Sequence, residues 1–88
     1  MQVNYLFAKS ADNHGISRAS CIFIIENYEG FSVGFSREVS EKFAWVGLDQ
    51  AGSYIEIIAI NFIYYWYVIH AKPASYQEGF DEIKKRLK

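Results

Sequence analysis

His70 and Lys72 stand two residues apart in a long apolar stretch, Tyr54 to Lys72, that reads YIEIIAINFIYYWYVIHAK. On a strand, positions two apart share a face and lie roughly 7 Å from one another. Read as one uninterrupted strand, Tyr64, Trp66, Val68, His70 and Lys72 therefore project from a single surface. An imidazole moves protons near neutral pH, an ammonium group holds phosphate, and aromatic rings stack on bases. Together they suit binding and cleavage of a ribose-phosphate backbone. Glu56 would orient the imidazole if it reached the same face, and the turn decides this. A two-residue turn at Asn61-Phe62 sets Glu56 opposite Tyr67, away from His70, whereas one more loop residue sets it opposite Val68, on the same face. His14, just before Gly15, is a second imidazole. Each residue also has a plainer role: Glu56 as a solvated or helix-paired carboxylate, His14 as a cap on a helix C-terminus, and the tyrosines and tryptophan as core.

Other chemistries find no pattern. Two histidines and one cysteine far apart do not match zinc spacing, and neither a Gly-rich phosphate loop nor a G-x-S-x-G elbow occurs, so no metal and no cofactor is expected. Cys21 lies in the apolar run Cys-Ile-Phe-Ile-Ile and reads as a small buried hydrophobe. The net charge of −1 argues against a broad basic surface. Charge is nonetheless uneven: residues 1 to 71 carry four cations against seven anions, and residues 72 to 88 carry five cations against three anions. The Tyr54 to Lys72 stretch is about long enough to span a bilayer, but Glu56, Asn61, His70 and Lys72 would need partners inside lipid. No secretory leader pattern opens the chain. With the lone cysteine, this makes a cytoplasmic protein without membrane contact the expectation.

The elements that must position these groups follow from punctuation and periodicity. The 88 residues, half of them apolar, suit one domain with a real core. Val3 to Phe7 is a first strand or an extended lead-in, and Ala8 to His14 makes one or two helical turns closed by Gly15. Ser17 caps a helix whose Cys21, Ile24, Ile25 and Tyr28 share a face, and Glu29-Gly30 ends it. Phe31 to Ser40 reads as an irregular connection with at most a strand fragment. Phe43 to Leu48, the strand from Tyr54, and the strand ending at Pro73 form a meander, with a turn at Asp49 to Gly52. Ser75-Tyr76-Gln77-Glu78 is a capping box, and Tyr76, Phe80, Ile83 and Leu87 keep helical spacing. The expected class is α+β: a small antiparallel sheet, a three-stranded meander with or without an extra N-terminal strand, packed with an N-terminal helical segment and a C-terminal helix.

Several stretches resemble one family. Asn13-His14-Gly15-Ile16-Ser17 before an apolar helix is similar to the KHGVS opening of BrnT-type toxins. Phe43-Ala44-Trp45-Val46-Gly47-Leu48-Asp49 through Gly52, the strand Tyr54 to Ile60, and Val68-Ile69-His70-Ala71-Lys72-Pro73-Ala74 are similar in order and spacing to that family's IGLSDDGRLLFVVYT and IRIISARKAT segments. His14 matches the family's His before Gly, while His70 and Lys72 fall where the family has Ser and Arg. The resemblance implies a RelE-like α+β domain and a metal-independent endoribonuclease, the toxin of a type II toxin–antitoxin pair, neutralised by a cognate antitoxin protein. It acts on RNA through the ribose 2′-OH and leaves a cyclic phosphate. In that reading His70, His14 and Glu56 are catalytic, and Lys72, Trp66 and Tyr64 bind substrate, with the oligomeric state, a dimer included, left open. The alternative is a non-catalytic protein-binding module, either an inactive toxin homologue or a heterodimerisation domain. Its support is the slightly acidic balance and the many aromatics.

Overall fold

A computed structural model describes residues 4–37 and 40–74 of the chain. Strand β1 (Asn4–Phe7) leads through a 3-10 turn (Lys9–Asp12) to helix α1 (Arg18–Asn27). Strands β2 (Phe31–Phe35), β3 (Glu41–Leu48), β4 (Tyr54–Asn61) and β5 (Tyr65–Pro73) follow. They make one five-stranded sheet in the order β1-β5-β4-β3-β2. β1 runs parallel to β5, and the other neighbours are antiparallel.

This corrects the expected architecture of a three-stranded meander packed with two helices. The described protein is mostly sheet, mixed rather than antiparallel, with one α-helix and a 3-10 turn. Two strands account for the difference. Asn4–Phe7 is the strand of the two alternatives expected there, but it joins the sheet as a parallel edge, with Tyr5 beside Trp66 and Phe7 beside Val68. Phe31–Phe35, expected as a strand fragment at most, is a full edge strand, because a register shift between Ser32 and Gly34 absorbs the break in pattern. Gly34 takes φ +120°, a conformation open to glycine, and the ladder with β3 resumes at Lys42. The closing helix expected from Ser75 onward lies outside the described residues.

The main core lies between α1 and one face of the sheet. Cys21 and Ile24 of α1 meet Trp45 of β3, Ile55, Ile57 and Ala59 of β4, and Val68 and Ala71 of β5. Removing each isoleucine side chain from water contributes roughly 1.5–3 kcal/mol. The opposite face carries a smaller cluster of Ala44 and Ile58, with Val33, Val46 and Ile69 beside them. The start of α1 is tied to the β3–β4 turn. Ser17 Oγ accepts from the Ser20 backbone N–H at 3.1 Å, as an N-cap should, and Ser20 Oγ donates to Asp49 Oδ2 at 3.1 Å. Asp49 Oδ1 in turn accepts from the backbone N–H groups of Ala51 and Ser53. The Ser53 N–H above all, aided by the Ser20 hydroxyl and the other turn amides, holds the Asp49 carboxyl below its usual range.

Candidate functional site

The geometry of the site begins with one extra residue in β5. Ala59 pairs with Val68, but the next pair is Ile58 with His70, so Ile69 has no opposite number on β4. Such a bulge breaks the alternation of side chains and lets two successive residues lean to the same side. Val68 and Ala71, three apart, both enter the core under α1, whereas Ile69 joins the cluster on the opposite face. Beyond the bulge His70 and Lys72 share that opposite face with Ile58 and Glu56, their partners on β4. Glu56 also pairs with Val46 of β3, so it stands in the interior of the sheet and is only 3% exposed.

A carboxylate so buried is unfavourable unless it is hydrogen-bonded. Glu56 Oε2 lies 2.8 Å from His70 Nε2, at the distance of a charge-assisted bond. With Glu56 ionised it can only accept, so Nε2 of His70 carries the donated proton and Nδ1 is left to accept one. The His70 side chain keeps about a third of its surface, 30%, in contact with solvent. It is therefore fixed on one side and accessible on the other.

The 3-10 turn brings the second imidazole. β1 stops pairing at Phe7 and Val68, and the turn continues along the same edge of β5. The Ala8 N–H donates to the Val68 carbonyl at 2.9 Å, and Ser10 Oγ donates to the Ile69 carbonyl at 2.6 Å. The bulge thus supplies the carbonyl that anchors the turn. Arg18 pairs with Asp12 at 3.4 Å and lies 4.9 Å over the Phe7 ring, which ties the turn to α1. His14, exposed after the turn, ends with its ring centroid 6.4 Å from that of His70, at an interplanar angle of 66°.

The structure therefore gathers His70, Glu56, His14 and Lys72 in one region and separates Trp66 and Tyr64 from them. Glu56 stands opposite Lys72, not opposite Tyr67 or Val68, because the hairpin turn holds Phe62-Ile63-Tyr64 and the bulge adds one more residue. Trp66 lies on the α1 side, packed edge-on against Trp45 and Phe43. Tyr64 sits in the turn and is 82% exposed. The single surface expected from Tyr64 to Lys72 is thus divided by the bulge. Tyr67, paired with Ile60, and Tyr65 two residues before it are the β5 aromatics that share the His70 face, and strand parity carried through without a bulge hides them. Ser10 is the other residue missed, and nothing in its neighbourhood signals a contact with β5.

Cys21, 1% exposed, has its thiol pushed up to about 11 by burial and by the nearby Asp12 charge, as befits a packed hydrophobe. Among the described residues no three His, Cys, Asp or Glu side chains converge to hold a metal ion. None of their helices is long and apolar enough to cross a membrane. No protein family model, curated protein or solved structure matches the chain.

Proposed function

We propose that the chain is a metal-independent endoribonuclease, the toxin of a type II toxin–antitoxin pair working on RNA in the cytoplasm. The observation that carries this reading is the buried Glu56 carboxylate 2.8 Å from His70 Nε2, with the His14 ring 6.4 Å from the His70 ring. Two imidazoles can serve as the base and the acid of in-line cleavage through the 2′-OH. His70 Nδ1 takes the 2′-hydroxyl proton, and the freed oxygen bonds to phosphorus. The bond from phosphorus to the 5′-oxygen breaks, and His14 in its protonated form delivers a proton to the departing oxygen. Glu56 fixes the His70 ring and stabilises the imidazolium as it forms. Lys72, exposed and paired in register with Glu56, supplies positive charge for the phosphorane oxygens. The products are a 2′,3′-cyclic phosphate and a free 5′-hydroxyl. The resemblance to BrnT-type toxins supports the same reaction and adds an antitoxin protein as partner.

Replacing His70 with Ala should lower the cleavage rate by about 10²- to 10⁴-fold. Substrates with a 2′-deoxy sugar at the scissile position should remain intact. Full activity of His70→Ala, or cleavage of the deoxy substrate, would overturn the assignment. The second reading, a non-catalytic module that pairs with another protein, draws on the exposed Phe31, Phe35, Ile63 and Tyr64. Growth on inducing the parent chain, beside His70→Ala at matched soluble level, separates the two. Arrest by the parent alone is the nuclease result, and growth with both is the binding-module result.

A further inference from the structure

The face that carries His70 continues past it toward the β4–β5 turn, and the side chains there take no part in the proton transfers. Across β3, β4 and β5, Val46, Glu56 and Lys72 form one row, and Ala44, Ile58 and His70 form the next. Lys42, Ile60 and Tyr67 form the third. Ile58 and Ile60 are two apart on β4, so the His70 and Tyr67 rows lie roughly 7 Å from one another. That is about the length of a nucleotide in an extended strand. Lys42 and Tyr67 stand at the two ends of their row, two strand spacings or roughly 10 Å apart.

Tyr67 is held from the turn side. The Phe62 N–H donates to the Tyr65 carbonyl at 3.0 Å, and the Phe62 ring stacks on that of Tyr65 with centroids 5.1 Å apart at 28°. Phe62 then meets Tyr67 at 6.4 Å and 50°, on the side away from His70. Tyr67 and Lys42 both keep part of their surface in solvent. From one end to the other the face thus offers Lys72, the Glu56–His70 pair, and a propped tyrosine with a lysine in its row. Cations that follow a sugar–phosphate backbone beside a ring that stacks on bases are the means by which proteins hold a single strand. A duplex does not suit this face, because its bases are already stacked on one another. Resting on the nuclease reading, we infer that the substrate is single-stranded RNA, with the base next to the scissile phosphate stacked on Tyr67 and Lys42 holding a neighbouring phosphate.

Two assays on the full chain separate this inference from the cleavage reading. In the first, a labelled 2′-O-methyl strand that resists cleavage is titrated by fluorescence anisotropy, beside the same strand annealed to its complement. The single strand should bind at least about tenfold more tightly. Tyr67→Leu, which keeps an apolar side chain on the sheet, should weaken that binding about tenfold, while Tyr67→Phe retains it. Lys42→Gln should lower the slope of log affinity against log salt by about 0.7, the loss of one phosphate contact. In the second, a deoxynucleotide strand with a single ribose fixes the scissile phosphate, and an abasic site is placed on either side of it. On one side the abasic site should raise KM about as much as Tyr67→Leu does, and combining the two should add nothing further. Equal binding of duplex and single strand, unchanged affinity in Tyr67→Leu, or additive effects of the abasic site and Tyr67→Leu would overturn the inference. Strand binding that depends on Tyr67 without cleavage by the parent would instead overturn the nuclease reading and leave the stacking site in place.

Discussion

Replacing Glu56 with Gln tests the pair at the centre of the site. Gln keeps the size of the side chain and an oxygen to accept the imidazole N–H, but removes the charge. A hydrogen bond to a charged group contributes a net of about 1.5–3 kcal/mol, and a neutral one about 0.5–1.5 kcal/mol. With His70 present, Glu56→Gln should therefore destabilise the protein by roughly 1 kcal/mol. With His70 already replaced by Ala, the buried carboxylate has lost its His70 contact at 2.8 Å, and neutralising it should cost less than it does in the parent. The two substitutions should thus couple by about 1–2 kcal/mol in a double-mutant cycle. Urea unfolding followed by tryptophan emission measures it, because Trp45 is 3% exposed and reports loss of the core. Additivity of the two changes within about 0.5 kcal/mol would refute the claim that Glu56 and His70 act as a unit. In the nuclease assay the same Gln variant should lose at least about tenfold in rate, since an imidazole without its carboxylate is neither fixed nor stabilised when protonated.

Deleting Ile69 should regularise β5 and leave Glu56 beside His70, but remove the carbonyl that anchors Ser10. The Glu56–His70 coupling should survive while cleavage falls as it does in His14→Ala, and loss of both together would show that the bulge sets the whole site. Asp49, whose carboxyl is held below its usual range chiefly by the Ser53 N–H, contributes stability above the ordinary carboxylate pKa. That contribution is lost as pH falls through its lowered folded value. Asp49→Asn should therefore be less stable at neutral pH and converge with the parent in acid, and a constant gap at all pH values would contradict this. The Cys21 thiol, with its pKa near 11, should resist iodoacetamide at pH 8 until the protein is unfolded. Labelling of the folded chain at the rate of a free thiol would count against its burial.

Local signals along the chain served where a residue acts on its own backbone. Ser17 caps α1, Asp49 to Gly52 turns the chain between β3 and β4, and Pro73 is the last residue of β5. Each depends on a hydrogen bond or a missing N–H within a few residues. Three features depend instead on distant partners. β1 is four residues long and becomes a strand only because β5 offers a parallel neighbour. β2 contains Gly34 and is held by β3 across a register shift. The bulge at Ile69 leaves no composition signal, since isoleucine suits a regular strand as well as a bulged one. That one residue decided which aromatics stand with His70. Residue type marked His70, Glu56, His14 and Lys72 as candidates and strand spacing set His70 and Lys72 on one face, but the approach of Glu56 and His14 to His70 was not legible.

The bulge also separates the two faces of the sheet. Before it, Trp66 and Val68 turn toward α1; after it, His70 and Lys72 turn the other way, so one strand supplies both faces of the sheet. A buried sheet does not transmit side-chain changes across its faces unless the backbone shifts, because neighbouring residues point apart. Variants of Glu26 and Glu29, at the end of α1, should therefore leave RNA cleavage unchanged. If a Glu26→Gln, Glu29→Gln double variant instead altered cleavage, the α1 side of the sheet would have to belong to the path of the RNA. Trp66 would then return to the substrate-binding role that its place on the α1 side of the sheet argues against.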